Sequence, residues 1–271
     1  MINLLDFRHD KYSSTGNDGI IKYIFKTLNI NSGFFVEFGA WDGITGSNCK
    51  KLFEEGWSGI FIEEDQEKFF DLVKNYQNQD RIICLNKKIT IDDNLFDNVV
   101  INYISTEIDF CSIDVDGLDV EIFETFEKNM PKVVCIEGGQ MLHPEHTRIS
   151  SEKAKNNIQQ SLRVMVNVFK KKGYSPICSY QDTFFVQDRF YYNFNVSQNL
   201  MDLYLDGLMA HARRIPWIIR ILNENELNNP ILNEIIKNSN FSKYGWNRRK
   251  EWAILEKDNI EKIINKIRST R

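Results

Sequence analysis

The chain has 271 residues, 42% hydrophobic and 27% charged, which is ordinary globular usage and excludes disordered and fibrous classes. Its 34 Lys and Arg against 38 Asp and Glu leave a formal charge of −4. That balance argues against binding to nucleic acid or to an anionic membrane surface, both of which call for a basic face.

In chain order, an apolar face at helical spacing (Ile20, Ile21, Ile24, Phe25, Leu28) predicts a helix capped by Asn17 or Asp18 and ended at Gly33. Apolar runs at 34–38, 59–63, 81–85, 110–115 and 132–136 predict five strands. Between them, helices are expected at 47–55, 66–75 and 118–127, while 92–106 fits a helix or a loop. A long amphipathic helix over 152–172 is expected, then strands at 177–180 and 183–187, close enough in sequence to be antiparallel. The tail reads as helices at 200–222, broken or kinked by Pro216, and at 258–267. Alternating strands and helices predict a mostly parallel α/β sheet covered on both faces, with ligands beyond the carboxyl ends of its strands.

The five cysteines are Cys49, Cys84, Cys111, Cys135 and Cys178, with no CxxC pair among them. Zinc knuckles and thioredoxin-type motifs are therefore not expected. Cys84, Cys111 and Cys135 fall in strand-like runs and read as small reduced core residues, which suits a reducing compartment. No apolar run reaches the ~18 residues of a membrane span. The first residues lack the apolar core of a signal peptide, so a soluble, cytoplasmic protein is expected.

Four strand ends carry chemistry. In FFVEFGAWDGITGSN, residues 34–48, Gly39 and Gly43 permit close backbone approach. The spacing is neither GxGxxG nor a P-loop, and Glu37 and Asp42 favour a cationic or amine-bearing ligand over phosphate. In GIFIEED, Glu63 ends the second strand and can accept hydrogen bonds from a ribose diol. In SIDVDGLD, Asp114 and Asp116 follow the fourth strand; alternation puts them on one side, where they can hold a metal or act as base and tuner. Capping by Asp116 or Asp119 explains either residue equally well. In IEGGQMLHPEH, Glu137 ends the fifth strand, followed by Gly138, Gly139, Gln140, His143 and His146. Histidine is the side chain best placed to take a proton near neutrality.

In this order, these motifs resemble the class I S-adenosylmethionine-dependent methyltransferases, and within them the FkbM-like family. YSSTGNDGIIKYIF (12–25) resembles the family's lead-in and DTFFVQ (182–187) its last strand, so the match spans about 12–190. The resemblance implies a Rossmann-like, doubly wound seven-stranded sheet with an antiparallel last strand. It divides the chain into a catalytic domain at 1–195 and a helical extension at 196–271 that packs on the core or at a dimer interface.

It also implies roles. Glu37, Gly39, Ala40, Asp42, Gly43, Ser47 and Asn48 would line the methionine end of the cofactor. Glu63 would hold the ribose, Asn86 would lie near the adenine, and Asp114 would face the sulfonium or the acceptor. Asp116 stands where the family more often has Glu in a DxEG motif, and Gly138, Gly139 and Gln140 replace a frequent Asn. The expected activity is O-methylation of a sugar hydroxyl, on a nucleotide-linked or surface-polysaccharide sugar. Alternatives are N- or small-molecule methylation, and a non-catalytic binding protein on the same scaffold. Asp116, Glu137, Gln140, His146, Arg213 and Arg214 are expected to meet the acceptor, with the two arginines and His211 facing a diphosphate. His143 is expected as general base, with Asp114 as the carboxylate alternative. Asp114, Asp116 and Glu137 could bind Mg²⁺ or Mn²⁺.

Overall fold

The structure is a computed structural model describing residues 1–154 and 158–270. Seven strands run in chain order: β1 Phe34–Phe38, β2 Ser58–Glu63, β3 Ile82–Asn86, β4 Phe110–Ile113, β5 Val133–Glu137, β6 Tyr174–Ser179 and β7 Asp182–Gln187. They form one sheet in the order β3-β2-β1-β4-β5-β7-β6. Only β7 is antiparallel; it pairs β5 and β6 in that sense, and the other neighbours pair in parallel. This is the mostly parallel, Rossmann-like seven-stranded sheet with an antiparallel last strand that the motifs imply. Its order reverses between β1 and β4, so a crevice opens there beyond the strands' carboxyl ends.

Strand alternation sorts the core into two layers. Phe35, Phe61, Phe110 and Phe184 pack on one face against Ile20, Ile24 and Phe25 of α1 (Asn17–Thr27). Val36, Ile62, Ile113 and Phe185 pack on the other. There Phe169 stacks between Phe123 and Phe185, with ring centroids 3.7 Å apart on both sides. Along the chain the helices α2 (Lys50–Glu54), α3 (Gln66–Tyr76), α4 (Phe96–Val100) and α5 (Asp119–Glu124) connect strands. The helix at 96–100 resolves the segment that the sequence left open.

The helix expected over 152–172 is interrupted. It is present as α6 (Ser151–Ala154) and α7 (Leu162–Lys171), while positions 155–157 lie outside the described residues. Residues 158–161 are not helical because their polar groups bond elsewhere. Gln160 donates to Glu121 (2.7 Å) and accepts from the Ile149 N–H (3.1 Å), and Ser161 caps α7. After α8 (Asp188–Tyr191), the tail forms α9 (Leu200–Ala210), α10 (Ile215–Glu224), α11 (Pro230–Asn238), α12 (Phe241–Tyr244), α13 (Arg249–Leu255) and α14 (Lys257–Ser269). Pro216 occupies the first turn of α10, where its missing N–H costs nothing. The break itself falls earlier, across a short 3₁₀ turn at Ala212–Arg214. The tail buries Tyr204, Leu232, Trp252 and Ile264 in a core of its own, shared with Met141, Leu142 and Leu162. No described helix is long and apolar enough to cross a membrane. All five cysteines are free; four are buried and Cys84 is half-buried. Burial pushes the thiols of Cys49, Cys111 and Cys135 well up, so they are poor nucleophiles.

Candidate active site

The turn after β1 is held from within. Glu37 is buried, accepting the Ser47 hydroxyl (2.6 Å) and the Asn48 N–H (2.8 Å). Burial pushes its carboxyl up to about 7 against the pull of those bonds. Ser47 also accepts the N–H of Lys50 (3.0 Å), fixing the start of α2. Asp42 accepts the N–H groups of Ile44 and Thr45 (2.9 and 2.7 Å) and the Thr45 hydroxyl. Partial burial works against it, but these bonds hold its carboxyl below the usual range. The close approach at Gly39 is to protein: with φ +72°, a Cβ there would lie 1.6 Å from the Asp114 carbonyl oxygen. Gly43 likewise packs against Leu72 and Tyr76. Ala40 is buried, its N–H bonded to the Ile62 carbonyl.

Glu63, at the end of β2, accepts the N–H of Trp41 (2.7 Å) on one oxygen and that of Asp65 (2.8 Å) on the other. A carboxylate has about four acceptor sites, so two remain for a diol. Trp41 is half exposed, with φ 52°, and was not singled out from the sequence. Asn86 pairs in register with Glu63 and spends its amide on the Glu63 and Glu64 carbonyls.

The ends of β4 and β5 differ in kind. Asp114, Asp116 and Glu137 bring carboxylate oxygens within 4.8 Å of one another. Strand alternation is not what does this, because β4 stops at Ile113. Asp116 turns the chain with φ 55°, and buried Asp119 cradles the loop by accepting the N–H of Val115 (2.8 Å) and of Gly117 (2.9 Å). Asp119 thus orders the turn more than it caps a helix. Asp114 reaches solvent yet sits in a crevice of acids. Desolvation first, then the charges of Glu137, Asp119, Asp182 and Asp116, push its carboxyl well above the usual range. Glu137 is pushed up to about 8 by burial and by Asp119 and Asp182, opposed by Arg214 and by a 3.0 Å bond from Gln159. In the protein alone the neighbours of Asp114 and Glu137 are chiefly other carboxylates, which raises their affinity for a proton.

Beneath the cluster lies a network that the sequence did not reveal. Asn17 donates to Asp182 (2.6 Å) and to Asn48 (2.9 Å), Asn48 donates to Ser112 (2.9 Å), and Tyr180 donates to Asn17. Asp182 faces Glu137 across the β5–β7 ladder. The one sequence signal for it was an acid opening an otherwise apolar run.

The remaining expected residues divide. Arg214 is half-buried and lines a cavity of about 20 Å³ with Glu137, Gln140 and His211. Gln140 is buried and bonded to the Tyr204 carbonyl (3.3 Å). Arg213 is exposed and donates through Nε to His211 Nε2 (3.1 Å). His143 accepts the Glu145 N–H at Nδ1 (3.2 Å), and His146 Nδ1 lies 2.7 Å from the Thr147 carbonyl oxygen. Neither histidine joins the 4.8 Å carboxylate cluster.

No family model and no curated protein matches the chain. Solved structures similar to it include a SAM-dependent methyltransferase from Aquifex aeolicus (10% identity, 61% of this chain and 86% of that one, TM-score 0.37). The SAH-bound methyltransferase PaMTH1 of Podospora anserina (9%, 65% and 79%, TM-score 0.41) is another. The CurJ carbon methyltransferase (10%, 65% and 55%, TM-score 0.43) is a third. At such identities the likeness extends to the fold alone.

Proposed function

We propose that the chain is an S-adenosylmethionine-dependent O-methyltransferase of the FkbM-like kind, acting on a hydroxyl of a sugar-bearing small molecule. The observation that carries the reading is the excess of carboxylate at the carboxyl ends of β4 and β5, beside the point between β1 and β4 where the sheet order reverses. A sulfonium with an amino group fits that donor set, since a cation relieves the repulsion and desolvation that raise the proton affinity of Asp114 and Glu137. When bound, the cofactor supplies an electrophilic methyl group.

The chain's residues do the rest. Glu63 offers its two free acceptor sites to the ribose hydroxyls, and Asn86 keeps the neighbouring strand end aligned. Glu37, Ser47, Asn48 and Asp42 hold the β1 turn in shape around the methionine end. Asp114 takes the proton from the acceptor hydroxyl. Its carboxyl has the raised affinity for a proton that a base needs, and a neighbouring cation frees it to act. His143 is the less suited base, because its Nδ1 is engaged within its own turn. Asp116, Glu137, Gln140 and His146 remain on the acceptor side, with Arg214 placed to balance charge at Glu137.

Calorimetry with S-adenosylhomocysteine, followed by a mass-shift screen over sugars and sugar nucleotides, tests the reading. The expected product gains about 14 Da, one CH₂, on oxygen. Gain on nitrogen would replace the acceptor class, and binding without turnover on any acceptor would favour a binding protein on this scaffold.

A further inference from the structure

A groove of about 600 Å³ runs between the N-terminal segment and the helical tail. That is within the size range of small-molecule sites. Its rim carries Arg8, Arg213, Lys250 and Lys257, all exposed, with Asp10 as the acid among its lining residues. None of the four cations forms an ion pair with a described residue. Asp10 is engaged locally, accepting the Ser13 hydroxyl (2.9 Å) and the Gly16 N–H. On this chain of net charge −4, the groove is a local excess of positive charge.

Its lining reaches the acidic floor through two residues. Thr15 Oγ1 lies 3.3 Å from the Tyr180 hydroxyl and 3.4 Å from Asp182. His211 is shared with the small cavity that Glu137 and Arg214 also line. Its Nε2 accepts from Arg213, so in the neutral ring the proton is on Nδ1. That Nδ1 is buried and has no partner. Burial and then the charges of Arg214, Arg213 and Arg8 push the ring down to about 3, so it is neutral at physiological pH. An unpaired buried donor is the kind of group a ligand oxygen satisfies.

We propose that this groove binds the phosphate-bearing end of the acceptor, with Arg8, Arg213, Lys250 and Lys257 on its phosphates, while the hydroxyl-bearing end passes Thr15 and His211 towards the carboxylates. The polarity of the site selects for such a molecule, being cationic at the mouth and anionic at the floor. Met209, Ala253 and Ile254 give the groove an apolar wall against which a nucleobase can lie. Only the direction of the ligand rests on the methyl-transfer reading; phosphate binding does not.

The test is calorimetry on the full chain with uridine diphosphate, inorganic pyrophosphate, glucose 1-phosphate and glucose, at low and higher salt. Uridine diphosphate and pyrophosphate are expected to bind, salt-sensitively, and glucose not to. Arg213→Gln with Lys257→Gln should weaken uridine diphosphate by about 10-fold or more while leaving S-adenosylhomocysteine within about 2-fold. Glucose 1-phosphate as tight as uridine diphosphate would make the acceptor a sugar phosphate, and weaker would make it a nucleotide sugar; either supports a phosphate site. No phosphate binding, or binding unchanged in the double variant with an unaltered melting curve, overturns the proposal. So does an RNA oligonucleotide that outcompetes every small phosphate through the same residues. Should Arg213→Gln/Lys257→Gln fail to fold, Lys250→Gln alone, expected to weaken uridine diphosphate by at least about 3-fold, decides. If uridine diphosphate binds but S-adenosylhomocysteine does not, the methyl-transfer reading falls and the groove stands.

Discussion

The two halves of the sheet's carboxyl edge use the same side chain for different ends. After β1 and β2, the carboxylates of Glu37, Asp42 and Glu63 are all bonded to the protein, mostly to backbone N–H groups. They hold turns. After β4 and β5, Asp114, Asp116 and Glu137 crowd one another, and the bond to Glu137 comes from a neutral amide. Folding alone gains nothing from that crowding, since like charges in a desolvated crevice oppose one another. The acids of the two halves are told apart by their donors, not by burial.

The sharpest way to break the contrast is Asp114→Asn. The substitution keeps shape and removes a titratable carboxyl from the crowded cluster. Methyl transfer should fall by roughly 10²–10⁴-fold, the usual share of a general base, while the melting temperature holds or rises. A loss of stability with activity retained would place Asp114 among the turn-holding acids instead.

Glu37→Gln reads the other half through pH. The Glu37 carboxyl ordinarily titrates at 4.5 and is pushed up to about 7 in the fold. Between those values the folded chain holds a proton that the unfolded chain has released. Its contribution is therefore present in full below about 4.5 and is lost as pH rises through about 7. A shift of that size is worth about 3 kcal/mol across the window. The stability of the parent relative to Glu37→Gln should decline by that order from acid to neutral pH in urea titrations, then level off. A flat difference would mean that Glu37 is not protonated on folding.

This contrast was only partly legible in the sequence. Apolar runs located all seven strands, because a strand inside a covered sheet has little choice but to be apolar. The acids at their ends were legible for the same reason: Glu37, Glu63 and Glu137 interrupt runs that otherwise exclude charge. Which acid is satisfied was not legible, because donors arrive from distant segments. Asp182 meets Asn17 across 165 positions, and Gln160 leaves a helical pattern to reach Glu121, 39 positions away. Gly39 shows the same limit. The sequence asks for a glycine there, and only the fold says that the neighbour is the Asp114 carbonyl and not a ligand. His143 was read from proximity in sequence, and only the fold shows that its Nδ1 accepts the Glu145 N–H.

Glu63→Ala sharpens the comparison within the first half, since Glu63 both holds the Trp41 and Asp65 N–H groups and keeps acceptor sites free. S-adenosylhomocysteine affinity should drop by about 1–3 kcal/mol, the worth of charge-assisted bonds to a diol. Asp65→Ala serves as the control, because it disturbs the cap of α3 and spares the carboxylate. Equal losses in the two variants would reduce Glu63 to a turn-holding residue.

The smallest expected effect is that of metal removal. Asp114, Asp116 and Glu137 offer three oxygen ligands of the type Mg²⁺ and Mn²⁺ prefer, within 4.8 Å of one another. Against this, Arg214 already presents a positive charge to Glu137, Asp182 and Asp114. A sulfonium would bring a second cation to the same crevice, and a divalent ion added to both would repel the methyl donor. Methyl transfer after exhaustive chelation should therefore stay within about 2-fold of that of the untreated protein, with Asp116→Asn similarly mild. Activity lost on chelation and restored by Mg²⁺ or Mn²⁺ would reverse that order of effects. It would make Asp116 a ligand, and Arg214→Gln should then tighten metal binding by lifting a competing charge from the cluster.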